Sequence, residues 1–298
     1  MLQQCFICQF GQFNKVDENY NRCSACGHEY LRLNQAANQS IINEKLTEAN
    51  LKQVNFLDRY KTKILKRCLI DHEFLLDIGS ASGRFLYQNG QWFKDYAGLE
   101  VTPACLIFSR KFLPGKIFDS IKKISASKLS VITFWHALEH IALKEIREII
   151  SIIKDLANQQ TRVIISIPNS NALVYQFFKK NYAFYDSGSH YHQFSLVSLD
   201  RLMAAFGFKR IKLFFSWPYS IFCYIQTMLN LFNNQHNFLY YYQKRSQSFR
   251  RNQLMDRSQY FFNVILIPFI LPFALIFIVI DLILKPYSCA LNVCYKIN

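Results

Sequence analysis

Charged side chains are scarce in this sequence, at 18% of 298 residues, where an average soluble domain carries roughly 25%. Hydrophobic residues reach 51%, so part of the apolar surplus is expected outside a soluble core and composition alone points to a membrane contact. Acidic residues are scarcer than basic ones, 20 Asp and Glu against 35 Lys and Arg. The resulting charge of +15 suits nucleic acid, an anionic membrane or an acidic ligand, and only its placement separates these. No internal repeat and no low-complexity tract is present, which sets aside repeat architectures. The N-terminal residues 1–5 contain no basic region followed by an apolar run, so no cleaved signal peptide is expected and the cytoplasmic side is the predicted location.

Cysteine is concentrated where it occurs. Of nine, four fall in the first 26 residues as Cys5-x-x-Cys8 and Cys23-x-x-Cys26, with fourteen residues between the pairs. That spacing predicts a zinc ribbon over residues 1–32, each pair on a tight turn and all four thiolates converging on one Zn2+. Four thiolates leave no open coordination position, so this zinc is structural. Spaced apolar positions (Leu46, Leu51, Val54, Leu57, Ile64, Leu65) among charges predict a helical linker over 33–70.

From residue 71 to 216 short apolar runs, at 74–78, 96–100, 131–134, 163–167 and 211–215, alternate with amphipathic stretches such as 144–156. That alternation predicts an α/β fold with a buried parallel sheet and crossover helices. The first run ends in Asp77, and Gly79, Ser80, Ala81, Ser82 and Gly83 follow. A strand, a tight glycine turn and a helix N-terminus let a ligand approach the backbone. Glu100 ends the next run, about 20 residues on, where a carboxylate accepts hydrogen bonds from ribose hydroxyls. A dehydrogenase would also want such a loop and acid. Its G-x-G-x-x-G fingerprint is missing here, because Ala81 stands at the second glycine and would crowd a pyrophosphate.

Segments 75–83, 98–100, 134–140 (Phe-Trp-His-Ala-Leu-Glu-His), 163–169, 190–195 and 199–208, in this order, resemble the successive motifs of class I S-adenosylmethionine-dependent methyltransferases. The subgroup with a Leu-Glu-His step after the fourth strand, methyltransferase-domain type 23/11-like, matches best. The resemblance implies a Rossmann-like seven-stranded sheet, S-adenosyl-L-methionine as cofactor, and a binding set of Asp77, Gly79, Ser80, Gly83, Glu100, Asp119, Trp135 and His136. Glu100→Ala and Gly79→Val are expected to abolish cofactor binding while leaving the fold largely intact.

Methyl transfer demands alignment and, for some acceptors, removal of a proton. His190, His192 and His136 are the candidate bases, the first two in a Tyr-rich loop over 182–195. His140 reads as a helix cap, and His136, Glu139 and His140 also share a helix face that could hold a metal. Residues 217–286 are predicted to be an apolar, membrane-associating helical insertion, with 261–284 long enough to span a bilayer. Residues 287–298 read as the final strand of the sheet, which brings the chain back to its original side. A bent, re-entrant or interface-lying helix pair reconciles the two, with 219–232 as partner and Pro268 and Pro272 as bends. The basic residues Lys244, Arg245, Arg250, Arg251 and Arg257 just before the run favour an anionic membrane surface over nucleic acid.

The expected function is thus methyl transfer at the inner membrane face, by a peripheral or monotopic enzyme, to a lipid-linked or envelope-glycan acceptor. The alternatives are a quinone or other small-molecule O-methyltransferase, and a non-catalytic zinc-ribbon and Rossmann binding protein.

Overall fold

The computed structural model describes residues 4–32, 46–125, 128–215, 217–244 and 253–298. At the N-terminus, β1 (Phe13–Lys15), β2 (Tyr20–Cys23) and β3 (Glu29–Leu31) form an antiparallel meander. Helices α1 (Glu48–Lys52) and α2 (Phe56–Cys68) follow, the second opened by a capping box between Asn55 and Asp58. The remainder of the predicted linker, 33–45, lies outside the described residues.

The main body runs β4 (Phe74–Ile78), α3 (Arg84–Asn89), β5 (Asp95–Leu99), α4 (Pro103–Phe112), β6 (Ile117–Phe118), β7 (Val131–Trp135), α5 (Leu143–Leu156) and β8 (Arg162–Pro168). It continues through α6 (Leu173–Phe178), β9 (His192–Gln193), α7 (Leu196–Ala205), β10 (Phe208–Phe214), α8 (Trp217–Asn230), α9 (Phe238–Lys244), α10 (Gln253–Ile283) and β11 (Ala290–Ile297). Seven strands make one sheet in the order β10-β11-β8-β7-β4-β5-β6, parallel except for β11. Every residue of β4 and β7 is buried, because the layers on both sides cover them, and this is why both read as near-continuous apolar runs. Helix α5 contributes Ile146, Ile149, Ile150 and Ile153 to the cover.

This is the predicted Rossmann-like sheet, with the apolar helix inserted before an antiparallel last strand. The fifth strand, expected at 211–215, starts at Phe208, because β10 is an edge strand whose Lys209 and Arg210 point to solvent and break the apolar run. The two-residue β6 is too short to leave a pattern.

Residues 261–284 fall almost wholly within α10, a continuous helix with Pro268 and Pro272 inside it and no re-entrant turn. It lies antiparallel along α8. Asn263 pairs with Asn233, Phe277 stacks on Tyr224 at 5.2 Å between centroids, and Asp281 accepts from Ser220 and Tyr224 at 2.7 Å each. Asp281 is the one charge of the run, and it is buried as the pin that ties α10 to α8 and to the Cys289 amide just before β11. At the other end of α8, Asn237 and His236 bond the carbonyls of Ala183 and Tyr182. Both ends of the pair are therefore held to the body. The outer face of α10 stays bare, with Phe261 at 62%, Phe269 at 69% and Ile283 at 73% exposure. Of the basic run ahead of it, Arg245, Arg250 and Arg251 lie outside the described residues, and Arg257 is exposed.

Candidate active site

The turn after β4 is built on two glycines in the left-handed region. A Cβ on Gly79 (φ +72°) would sit 2.5 Å from the Ala137 Cβ, and one on Gly83 (φ +76°) would sit 2.8 Å from Leu113 Cδ1. Substitution of Gly79 therefore strains the fold as well as the loop, contrary to the expectation that Gly79→Val leaves it largely intact. The Gly79 and Ser80 amides donate to the Leu99 carbonyl at 2.8 and 3.0 Å, which fastens the loop to β5.

Glu100 is the hinge of the arrangement. Its Oε2 accepts from the Ala81 amide at 2.7 Å, and its Oε1 accepts from the amides of Val101 at 2.9 Å and Thr102 at 2.7 Å. The carboxylate thus shapes the loop it was expected only to complement, so Glu100→Ala also frees three partly buried donors. Asp77 is 2% exposed and accepts from Thr133 Oγ1 at 2.6 Å. Burial pushes its carboxyl up to about 7. Asp119, just after β6, pairs with Lys123 at 2.7 Å and Arg110 at 3.4 Å, and the hydrogen bond from Lys123 holds its carboxyl below the usual range. Two buried polar atoms beside the loop, Ser80 Oγ and Trp135 Nε1, have no hydrogen-bond partner.

Beyond β7 the chain turns sharply. His136 adopts φ +55°, uncommon for a non-glycine residue and costly without support from its surroundings. The Leu138–His140 segment is a single 3-10 turn, not the opening of a helix. Glu139 on it is 1% exposed, with His136 Nδ1 3.3 Å from its Oε1. Burial pushes the Glu139 carboxyl up, but His136, His140 and His190 around it outweigh that and hold it below the ordinary range. The structure thus brings His136, His140 and His190 to one buried carboxylate. It does not bring His192 there.

His192 sits on β9 and points the other way, its Nδ1 3.2 Å from His28 Nε2 and its ring 5.7 Å from that of Phe194. Burial lowers His190 and His192 each to about 4, with His140 adding to the effect at His190. Strand β9 is the part that sequence reading missed. It completes the N-terminal meander as a fourth strand, pairing Glu29 with Gln193 and Tyr30 with His192. The hydroxyl of Tyr20 donates to the His190 carbonyl at 2.9 Å, Ser195 Oγ to the Cys26 carbonyl at 3.0 Å, and Tyr175 to Glu29 at 2.7 Å. The signal in the sequence was the His190-x-His192 step, which does not say what it pairs with.

The four predicted cysteines converge. Cys5 and Cys26 sulfurs are 3.6 Å apart and those of Cys8 and Cys23 are 3.5 Å apart. Four sulfurs about 2.3 Å from a tetrahedral zinc stand about 3.8 Å from one another, so the donor set and its spacing fit Zn2+.

Two open cavities lie away from the glycine loop. One of about 580 Å3 borders β10 between Asp200, Lys209 and Arg210. The other, about 430 Å3, is lined by Tyr185, Asp186, Asn230, Asn233 and His236 and adjoins the segment carrying His190.

A family model described as a methyltransferase domain matches residues 50–213, more than half of the chain. The chain belongs to this methyltransferase family. Among solved structures, a cyclopropane synthase from Mycobacterium tuberculosis is 10% identical with a TM-score of 0.50, over 80% of this chain and 84% of that one. A S-adenosylmethionine-dependent methyltransferase from Archaeoglobus fulgidus is 14% identical with a TM-score of 0.48, over 84% and 97%. An amino pentose methyltransferase from Micromonospora echinaspora is 19% identical with a TM-score of 0.32, and the chain covers 48% of its length and 37% of itself. At such identities the likeness concerns the fold. No curated protein matches the sequence.

Proposed function

We propose that this methyltransferase-family chain transfers the methyl group of S-adenosylmethionine to a lipid-linked or envelope-glycan acceptor at the cytoplasmic membrane face. The observation that carries the reading is the strand-loop-acid unit of β4, Gly79–Gly83 and Glu100, at its place in a matching methyltransferase domain. Gly79 and Gly83 leave backbone approach to the cofactor, with Asp77 beneath them and Glu100 for the ribose hydroxyls. Ser80 and Trp135 supply buried hydrogen-bonding atoms still without partners, Asp119 faces the adenine side, and His136 flanks the sulfonium end. The cofactor supplies an electrophilic methyl carbon; alignment of the acceptor and any proton removal fall to the protein.

His190 and His136 are the groups placed for that proton removal. His192 drops out of the candidate bases, because His28 and Phe194 pack both its surroundings and one of its nitrogens. The cavity beside Asp186, with four asparagines, Asn181, Asn230, Asn233 and Asn234, among its lining residues, suits an acceptor rich in hydroxyls. The bare apolar face of α10 supports attachment to a membrane in the interface plane. Cys5, Cys8, Cys23 and Cys26 would hold a structural Zn2+ under the His190 segment.

Incubation with methyl-labelled S-adenosylmethionine and membrane extract tests this reading. Label recovered in a lipid-linked glycan supports it. Failure of the purified protein to bind S-adenosylmethionine by calorimetry overturns it.

A further inference from the structure

Glu139, His140 and His190 form a second convergence of metal-ligating side chains, separate from the cysteines. One ligand atom from each lies within 4.8 Å of the others. The carboxylate is the unusual member: Glu139 is 1% exposed, and its nearest donor, His136 Nδ1 at 3.3 Å from Oε1, makes no well-formed hydrogen bond to it. A buried carboxylate so weakly satisfied is costly, by several kcal/mol in rough terms, unless a positive charge completes it.

The histidines are oriented from behind. His140 Nδ1 lies 3.1 Å from the Ser189 carbonyl, to which it donates, and this leaves the lone pair on Nε2. His190 Nδ1 lies 3.4 Å from the side-chain amide of Gln193, whose Oε1 has no partner. With that amide turned over, Oε1 accepts from His190 Nδ1 and the lone pair of His190 falls on Nε2 as well. A carbonyl or amide behind each ring is the usual support of a metal-bound imidazole. The two segments are also tied together by the Tyr191 amide, which donates to the Glu139 carbonyl at 2.9 Å.

We propose that Glu139, His140 and His190 bind one divalent first-row cation, of the Mn2+, Fe2+ or Co2+ type, in the methyltransferase body. Two imidazoles with one carboxylate favour such ions over Ca2+ and Mg2+ and leave coordination positions open. Ligand atoms around an ion at about 2.1 Å stand roughly 3.0–3.4 Å apart, so pairs within 4.8 Å close in by at most about 1.4–1.8 Å as it enters. This ligand set differs from the His136, Glu139 and His140 face expected from the sequence, because the 3-10 turn and the 182–195 loop replace a helix face.

The catalytic role of the site rests on the proposed methyl transfer. With His190 taken up as a ligand, proton removal would fall to His136: an acceptor hydroxyl on an open position would become more acidic and give its proton to that imidazole. Its oxygen then bonds to the methyl carbon as the carbon–sulfur bond breaks, and the electron pair returns to sulfur.

Mn2+ titration of the full chain, followed by the electron paramagnetic resonance signal of free Mn2+, tests the site. The thiolate ribbon is a poor competitor for this ion. Expected are uptake of one Mn2+ per chain and a loss of affinity of about tenfold or more in Glu139→Gln and in His190→Gln. Co2+ gives a second readout that needs no variant: d–d bands without the thiolate charge-transfer absorption of the ribbon. Absence of both signals in the wild type overturns the proposal, as does undiminished Mn2+ uptake by a folded Glu139→Gln chain. Calorimetry with S-adenosylmethionine is run alongside; if cofactor binding fails while Mn2+ is taken up, the methyl-transfer reading falls and the metal site stands.

Discussion

Replacement of Glu100 separates the two jobs that the structure gives its carboxylate. In Glu100→Gln one oxygen remains for the Val101 and Thr102 amides, while the new NH2 meets the Ala81 N–H that Oε2 now accepts at 2.7 Å. One charge-assisted bond to the loop is lost, worth about 1.5–3 kcal/mol, and the ribose loses a charged acceptor of the same worth. Cofactor affinity should fall roughly 10- to 150-fold, with a modest drop in melting temperature. Glu100→Ala removes all three loop bonds, so its melting temperature should fall further and its affinity should be unmeasurable. Calorimetry with S-adenosylmethionine and thermal unfolding without it read the two effects apart. Wild-type affinity in both variants would refute the cofactor assignment, and unchanged melting in Glu100→Ala would refute the loop-shaping role.

The remaining predictions address the buried acid, the zinc and the membrane. Asp77 has a folded pKa raised to about 7, against about 3.9 unfolded. The folded chain therefore binds more protons between those values, and stability should fall by about 4 kcal/mol as pH rises through that window. Urea unfolding of the cofactor-free protein at pH 5 and pH 8, beside Asp77→Asn, reads about two-thirds of this fall; an equal slope in both proteins removes Asp77 as its source. Cys23→Ser/Cys26→Ser should contain no zinc by metal analysis, and hydrogen exchange should speed up at His192 and Gln193, since β3 that pairs them is no longer held. Full zinc content in that variant would move the metal elsewhere. A reporter fused to Asn298 should be active only in the cytoplasm while the protein sediments with membranes. Activity only outside would mean that α10 crosses the bilayer and that β11 leaves the sheet.

The parallel strands were legible in the sequence because their burial on both faces makes them apolar throughout, as at Leu75, Leu76, Ile132 and Phe134. The cofactor loop was legible for the opposite reason: Gly79 and Gly83 stand where backbone geometry leaves no choice. The cysteines announced themselves by spacing. What the sequence hid were the pairings between distant segments. Nothing local in Glu29-Tyr30-Leu31 or His192-Gln193 says that they form one sheet, since two-residue strands carry no period. His190 and His192 looked equivalent, yet His190 lies in the loop before β9 and converges with Glu139, while His192 is on the strand and meets His28. The single charge of the apolar run, Asp281, gained a meaning only with Ser220 and Tyr224 beside it.

The place of β11 sets an order of events for the growing chain. This strand fills the gap between β8 and β10, pairing Val293 with Ile165 on one side and with Leu213 on the other. Until Ile297 has been made, β8 is an open edge carrying Val163, Ile165 and Ile167, and β10 has no neighbour in the sheet. By then α10 has already emerged, with its apolar face looking for cover. A nascent chain in that condition is prone to self-association, because an unpaired apolar edge and a bare apolar helix are exposed together. A lipid surface that captured α10 first would shield one hazard and hold the body still while the last strand threads in. Refolding from denaturant without lipid should then be slow and lossy, and vesicles added at the start should raise the yield where vesicles added afterwards do not.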